Sequence, residues 1–300
     1  MADISLRFHK DMLVLSTPLK AALARQGVDV DEDFAMTLLL EEDSLADVMR
    51  VESAAMAQCL VVPSDTLLPA RLLHANMQDQ LDRLASIAIG LAEKRRPQHL
   101  LVELGPTGLP LDPSSKGSLV EVRDQYVRAA HAFEKHTFDA YFLNGFSSVD
   151  ELKCALMGLR KASDRPVFAS VDVDAQGSLP HAALEDAIAV MEEYGAAVAG
   201  VQTKAAPKDA VAVAQRMAQA TQLPLLVQLQ VVPRTVRHAV PTAENPYPKA
   251  DTMFDAALAL RAAGVQFLRA TGAATPAYTG ALAASVLGAD VAPARFNLGD

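Results

Sequence analysis

The sequence predicts an α/β protein built as a single (β/α)8 barrel, and three observations support this prediction. Short apolar runs recur eight times, and each is followed by a longer segment with helical periodicity. The runs are mostly continuous rather than alternating, as expected for parallel strands covered by helices. No linker, low-complexity segment or change of composition divides the chain, so residues 1–300 are expected to form one domain. A doubly wound sheet is the alternative architecture.

The eight predicted strands are spread along the whole chain. They cover residues 12–16, 60–65, 99–104, 140–146, 167–173, 197–203, 224–232 and 264–271. In a barrel the carboxyl ends of the parallel strands meet at one mouth, where enzymes with this architecture carry their chemistry. The longest irregular stretch, 233–248, contains four prolines and follows the seventh strand. We therefore expect it to lie over the mouth.

The segments between the strands carry apolar stripes at helical spacing. The clearest stripes are Leu81, Leu84, Ala88 and Leu91; Val149, Leu152, Leu156 and Leu159; and Leu184, Ala187, Ile188 and Met191. Helix starts are indicated by Ser118 and Ser148, each of which precedes a glutamate by three residues, the spacing of a capping box. Thr275 stands before a proline, which suits the first turn of a helix.

Composition excludes several classes of protein. With 51% apolar and 21% charged residues the chain is too apolar to be disordered, and a net charge of −9 argues against binding to nucleic acid. No run approaches the roughly 18 to 20 apolar residues of a membrane span, and the first residues do not resemble a signal peptide. These features predict a cytoplasmic protein. The two cysteines, Cys59 and Cys154, are too few for a disulfide framework and are expected in the core.

The predicted strand ends carry a polar set of side chains. Its members are Ser16, Asp65, Glu103, Asn144, Asp172, Thr203, Gln228, Gln230, Arg269 and Thr271. Loops after strands are commonly polar, so residues inside otherwise apolar strands, such as Glu103, Asp172 and Gln228, are the more informative ones. A buried carboxylate needs a partner, for which Arg269 is the candidate. Oxygen atoms of Asp65, Glu103 and Asp172 would also suit a hard cation, although no motif spacing supports one.

Common catalytic motifs are absent from the sequence. It lacks GxGxxG, the P-loop, HExxH and GxSxG. Among the histidines, His238 is placed to reach a substrate from the loop after the seventh strand, with a solvated loop histidine as the alternative. Lys204, just past the sixth strand, would suit a Schiff base or a phosphate in an unrelated lyase or aldolase barrel. A solvated lysine is the alternative there.

Six short segments follow one another along the chain in a recognisable order. They are residues 64–66 (SDT), 105–108 (GPTG), 143–152 (LNGFSSVDEL), 200–207 (GVQTKAAP), 245–248 (NPYP) and 264–276 (GVQFLRATGAATP). In this order they resemble the strand-end turns of the homocysteine S-methyltransferase family. That family includes the homocysteine-binding barrel of cobalamin-dependent methionine synthase and betaine–homocysteine methyltransferase. The resemblance implies the same barrel, a small-molecule substrate, methyl transfer and a corrinoid- or folate-binding partner protein.

The chain departs from the family pattern at the residues that carry the family's chemistry. The family holds zinc with three cysteine thiolates, and the matching positions are Thr203, Thr271 and Gly272. Asn144 matches a family glutamate, and Ser16 matches an aspartate. Because a thiolate is the ligand that zinc requires there, no metal site is expected. Without zinc, Arg269 or His238 would have to help ionise a thiol.

Two hypotheses about function follow from the resemblance. The first is a divergent methyltransferase acting on a small thiol or related substrate without the zinc site. Its catalytic candidates are Asn144, Asp172, Thr203 and Thr271, and its substrate-binding candidates are Asp65, Glu103, Gln228, Gln230, Arg269 and Gly272. The second is a non-catalytic barrel that binds a small molecule or a partner protein after losing methyltransferase activity.

Overall fold

A computed structural model describes residues 3–27, 34–233 and 240–292. Over these ranges the chain forms a (β/α)8 barrel, as the sequence predicts. Its eight strands, β1 to β8, are Leu13–Val14, Cys59–Val62, His99–Leu104, Ala140–Phe146, Val167–Val173, Val198–Thr203, Leu225–Val231 and Val265–Gly272. The predicted and observed bounds of β3, β4 and β5 agree. The second strand ends earlier than predicted because Pro63 has no backbone N–H to continue the ladder.

All neighbouring strands in the sheet run parallel. The order is β1-β8-β7-β6-β5-β4-β3-β2. Strands β2 to β8 each lie beside their neighbours in sequence, and β1 lies beside β8. A parallel bridge between Leu15 and Cys59 joins the two ends of the sheet. Backbone bonds from Ser16 to Cys59 and from Gln58 to Val14 continue this junction and close the barrel.

Helices connect the strands on the outside of the barrel. Helices α1 to α11 are Leu19–Arg25, Phe34–Leu40, Glu42–Ala54, Pro69–His74, Leu81–Glu93, Lys116–Phe133, Val149–Ala162, Leu184–Glu193, Pro207–Ala220, Thr252–Ala262 and Pro276–Val286. None of the helices in the described part of the chain has the length and apolar character required to cross a membrane.

Two of the three predicted helix starts, those of α7 and α11, are observed, and that of α6 differs. Ser148 caps α7 as predicted, since its side chain accepts from the backbone N–H of Glu151. Thr275 occupies the cap position of α11. Helix α6 begins earlier than predicted: Ser115 is the cap and accepts from the N–H of Ser118, which therefore lies inside the first turn. Two serines lie three residues apart here, and the upstream one provides the oxygen.

The interior of the barrel has a lower layer made of apolar side chains. They are Ile4, Leu13, Leu15, Cys59, Val61, Leu101, Ala140, Phe142, Phe168, Val198, Leu226 and Phe267. The rings of Phe168 and Phe267 meet edge to face with centroids 4.8 Å apart. A 3₁₀ turn at Ile4–Arg7 covers the amino-terminal end of the strands, and Phe8 follows it onto both rings. This lower layer supports the polar layer above it.

Candidate functional site

Strand alternation decides which polar side chains enter the barrel. Phe267 of β8 belongs to the apolar interior, so Arg269 and Thr271, two and four residues further on, face inward above it. The same rule turns Ser170 and Asp172 of β5 inward above Phe168. A polar upper layer therefore lies directly on the apolar lower layer, near the carboxyl ends of the strands, where barrel enzymes carry their sites.

Arg269 is the centre of this polar layer. Its guanidinium is 1% exposed and makes two parallel bonds to Glu103, at 2.9 Å to Oε1 and 3.1 Å to Oε2. Arg269 Nε also donates to the carbonyl of Ser16 at 2.9 Å, and the guanidinium lies 5.2 Å from the ring centre of Phe142. The prediction that Arg269 partners a buried carboxylate is confirmed. A bidentate pair of this kind fixes both side chains in one geometry.

Asn144 and Gln228 extend the ion pair across the barrel. Asn144 Nδ2 donates to Glu103 Oε1 at 2.6 Å, and Gln228 Nε2 donates to Asn144 Oδ1 at 2.7 Å and to Ser170 Oγ at 2.8 Å. Asn144 reaches this position at a register shift in β4, where Gly145 adopts φ +82°. The network joins five strands, β3, β4, β5, β7 and β8, into one rigid polar unit.

Asp172 lies at the same level of the sheet as this network but has fewer partners. It pairs in register with Gln202, whose Nε2 donates to Asp172 Oδ1 at 3.1 Å. Partial burial raises the pKa of this carboxyl from 3.8 to about 6, although the positive charge of Lys204 acts in the opposite direction. Asp172 is therefore poised to exchange a proton near neutral pH.

A second ion pair lies on the opposite side of the mouth. Lys20 Nζ donates to Asp65 Oδ2 at 2.7 Å, and both side chains are about 30% exposed, at 28% and 31%. Burial raises the pKa of the Asp65 carboxyl and Glu103 raises it further, while Lys20 and Arg269 lower it. These groups, together with Thr17, line a cavity of about 50 Å³.

Sequence reasoning missed three residues of this region. The sequence prediction for the end of β6 is Thr203, whereas strand alternation from Val198 identifies the preceding residue, Gln202, as inward-facing. Lys20 lies in the first turn of α1, where a cation opposes the helix dipole, an unusual placement that signals a specific partner. Glu52 falls on the apolar stripe of α3 with Leu45, Val48 and Met49. Each of these signals was present in the sequence.

Glu52 is a fully buried carboxylate beside the mouth. Its two oxygens accept from the hydroxyls of Thr17 and Thr279. Burial raises the pKa of the Glu52 carboxyl, and the hydrogen bonds from both threonines oppose this shift. Thr17 therefore connects a buried acid to the wall of the cavity.

The three positions that the family resemblance matches to zinc cysteines have different surroundings. Thr203 Oγ1 donates to the carbonyl of Asp174 at 2.9 Å and accepts from the N–H of Ala205 at 3.1 Å, so it stabilises the turn after β6. Gly272 has φ +66°, and a Cβ there would overlap the carbonyl oxygen of Val231. Thr271 Oγ1 is buried and has no hydrogen-bond partner among the described residues.

These surroundings do not fit zinc held by three side chains. Thr203 has committed its hydroxyl to the backbone, and the backbone at Gly272 has no room for any side chain. Threonine hydroxyls are in addition poor zinc ligands beside thiolates. No group of three or more His, Cys, Asp or Glu residues suited to a metal ion occurs in the described ranges 3–27, 34–233 and 240–292.

The structure also describes most of the other residues that the sequence suggested as candidates. Ser16 accepts from the N–H of Val61 through its hydroxyl and holds β1 against β2. Gln230 is half-buried and pairs in register with Thr271. Lys204 is exposed, and His238 lies outside the described residues. Burial raises the pKa of both cysteine thiols, so Cys59 and Cys154 are poor nucleophiles.

Solved structures with the same fold extend over almost the whole chain. The homocysteine methyltransferase MmuM from Escherichia coli in its metallated form superposes with a TM-score of 0.75 at 18% identity, covering 91% of this chain and 96% of that one. Its apo form gives a TM-score of 0.70 at 18% identity, covering 92% and 96% of the two chains. At this identity the likeness shows the fold alone.

A less similar barrel also matches the fold, and a family model matches the sequence. The carboxyl transferase domain of Rhizobium etli pyruvate carboxylase, with pyruvate and biocytin, has a TM-score of 0.52 at 14% identity, covering 88% of this chain and 40% of that one. None of the curated proteins compared matches the chain. The sequence model of the homocysteine S-methyltransferase family matches residues 18–284, which include every strand except β1. The chain therefore belongs to the homocysteine S-methyltransferase family.

Proposed function

We propose that the protein is a methyltransferase that acts on a small thiol or related nucleophile and uses a carboxylate where its family uses thiolate-bound zinc. The observation that carries this proposal is Asp172, an inward-facing carboxyl at the mouth with a pKa of about 6. Membership in the family supports the reaction class. The surroundings of Gly272 and Thr203 support the absence of the zinc step.

Asp172 supplies what a zinc-free reaction needs, which is an acceptor for the nucleophile's proton. As the nucleophile attacks the methyl carbon, its bond to carbon forms, the bond from carbon to the donor's leaving group breaks, and the proton passes to Asp172 Oδ2. Gln202 holds Oδ1 in place at 3.1 Å. A carboxylate with a pKa of about 6 is roughly 100-fold more basic than one at 3.8.

The rest of the polar layer positions the substrate. Glu103 and Arg269 are held by hydrogen bonds to their neighbours, so their orientation is set before a ligand arrives. Preorganised charges of this kind orient a polar substrate without having to move. The methyl donor, in this proposal, arrives from a partner protein carrying a corrinoid or a folate. A single domain over residues 1–300 and a cytoplasmic location stay predictions from the sequence.

The test is methyl transfer to L-homocysteine or to L-homoserine from a sulfonium, a methylcorrinoid or a methylfolate donor in the presence of EDTA. We expect product with EDTA present, and we expect Asp172→Asn to lower kcat by about 10²- to 10⁴-fold. Loss of the base also removes the fall of rate as pH drops through about 6. The matched control is Asp174→Asn, an exposed carboxylate in the next turn that accepts from Gln176 and Ser178.

Two results would contradict the proposal. One is a reaction that EDTA abolishes and zinc restores. The other is an Asp172→Asn variant with the rate and pH profile of the wild type.

A non-catalytic binding barrel is the second candidate. The observation that favours it is the small cavity between Lys20, Asp65, Glu103 and Arg269, which at about 50 Å³ has no room for a methyl donor beside a substrate. The separating experiment is a thermal shift with L-homocysteine in the absence and presence of each methyl donor. Stabilisation by the amino acid without methylated product from any donor would favour this candidate over the enzyme.

A further inference from the structure

Thr271 carries a buried hydroxyl at the mouth of the barrel. Its side chain is 1% exposed on the inward face of β8, and Oγ1 has no hydrogen-bond partner among the described residues. Buried hydroxyls in proteins are nearly always bonded, because leaving one unpaired costs its full desolvation free energy. The partner of this hydroxyl therefore lies outside the described residues, and a bound ligand can supply it.

Thr203 shows that this feature is specific to one position. Thr203 is the last residue of β6 and Thr271 the last but one of β8, and both are about 1% exposed. The family resemblance matches both to cysteines. Thr203 faces away from the interior and is satisfied by Asp174 and Ala205. Only Thr271 of the two faces the mouth and lacks a partner.

The neighbours of Thr271 include a second polar group. Gln230 lies beside it in register on β7, half-buried, in the row above Gln228 and Arg269. Gly272 follows at the exposed end of β8. A ligand entering there meets a hydroxyl and a carboxamide, both of which are neutral groups that donate and accept hydrogen bonds.

We propose that Thr271 Oγ1, assisted by Gln230, binds the reactive end of the substrate, and that this end is a hydroxyl or an amine rather than a thiol. This inference rests on the proposed function and names its substrate class. Thiols are weak hydrogen-bond partners, whereas oxygen and nitrogen groups satisfy a buried threonine hydroxyl fully. The family's thiolate positions are thus replaced by a site whose chemistry suits a harder atom.

The first part of the test compares the stability of two ligand-free variants. Thr271→Val removes an unpaired hydroxyl while preserving the shape of the side chain. We therefore expect the melting temperature of this variant to lie between that of the wild type and about 2 °C above it. Thr203→Val breaks two hydrogen bonds and is expected to lower the melting temperature by a similar or larger amount. Differential scanning calorimetry measures both. A Thr271→Val variant destabilised as much as Thr203→Val would overturn the inference.

The second part measures binding of two probes that differ in one atom, L-homoserine and L-homocysteine, by isothermal titration calorimetry in EDTA. We expect the wild type to bind L-homoserine at least about tenfold more tightly than L-homocysteine. Thr271→Val should remove that preference, and Thr271→Ser, which retains a hydroxyl, should restore it. Equal affinities in the wild type, or binding of neither probe, would overturn the inference.

Binding and methyl transfer can fail separately. Preference for L-homoserine without methylated product from any donor would leave this inference standing and contradict the proposed function. Methyl transfer to L-homocysteine in EDTA together with a preference for the thiol would do the reverse.

Discussion

The lower and upper layers of the barrel interior are built by the same strands but have opposite chemistry. Phe142, Phe168 and Phe267 fill the lower layer with rings in edge contact. Two residues further along the same strands, toward their carboxyl ends, Asn144, Ser170 and Arg269 form the hydrogen-bonded layer. The lower layer gains stability from apolar burial, whereas the upper one must compensate the desolvation of each polar group.

The polar upper layer is the part of the barrel interior where this chain gives up stability. A buried ion pair replaced by apolar groups of the same volume is often no less stable, so a wholly apolar interior would serve the fold equally well. Glu103 and Arg269 are held at the mouth regardless, with five hydrogen bonds among their side chains, Ser16, Asn144 and Gln228. Folding therefore does not require the polar layer, and the proposed binding of a ligand accounts for it.

The largest effect is expected from breaking the central ion pair. Arg269→Met leaves Glu103 buried without a countercharge, which should lower the free energy of unfolding by about 3–5 kcal/mol in urea denaturation. The matched control is Arg261→Met, since Arg261 lies on the outer surface and its guanidinium donates to the carbonyl of Asp290. A double variant with Arg269→Met and Glu103→Leu should recover much of the loss. A failure to recover would mean that the upper layer is stabilising in itself.

A smaller loss is expected where the mouth excludes a side chain. Gly272→Ala places a methyl group against the carbonyl of Val231 at φ +66°, and we expect it to lower the free energy of unfolding by about 2–3 kcal/mol. Gly288→Ala is the control, because Gly288 has φ +73° but no atom within 4 Å of its Cβ position. Equal losses at both sites would show that backbone strain alone matters and that a cysteine ligand fits at Gly272 after all.

The smallest effect concerns Asp172 and has a definite pH dependence. The pKa of this carboxyl is about 6 in the folded chain against 3.8 ordinarily, so the folded state binds more protons between those values and loses stability as pH rises through them. Asp172→Asn removes this loss. Above pH 6 the variant should exceed the wild type by about 1–2 kcal/mol in thermal or urea unfolding, and the gap should close below pH 4. A gap that is independent of pH would contradict the raised pKa.

Much of the fold could be predicted because it depends on local pattern. Continuous apolar runs predicted β3, β4 and β5 with their observed bounds, and the stripe beginning at Leu81 predicted the start of α5. Ser148 was identifiable as a cap because its oxygen bonds a residue only three positions away. Ser118 was misplaced because Ser115 offers the same chemistry one turn earlier, and spacing alone does not choose between them.

The candidate site was predictable only in composition. The residue types at the strand ends indicated a polar mouth, and Arg269 was identified as the partner of a carboxylate. Which carboxylate it contacts could not be known, because Glu103 and Arg269 are 166 positions apart in the sequence and meet only when the barrel closes. Gln202 and Glu52 are identifiable from the periodicity of their elements, but only the structure shows which side chains they contact.

The sequence by itself determined the barrel and the family, and it predicted that the three cysteine ligands are absent, since these depend on residue identity and on periodicity along the chain. Only the tertiary structure decided the surroundings of the three matched positions: Thr203 is bound into a turn, Thr271 is unpaired among the described residues, and Gly272 is closed to any side chain. The physical reason is that hydrogen-bond satisfaction and steric room depend on neighbours brought together by folding. Residue identity alone does not specify them.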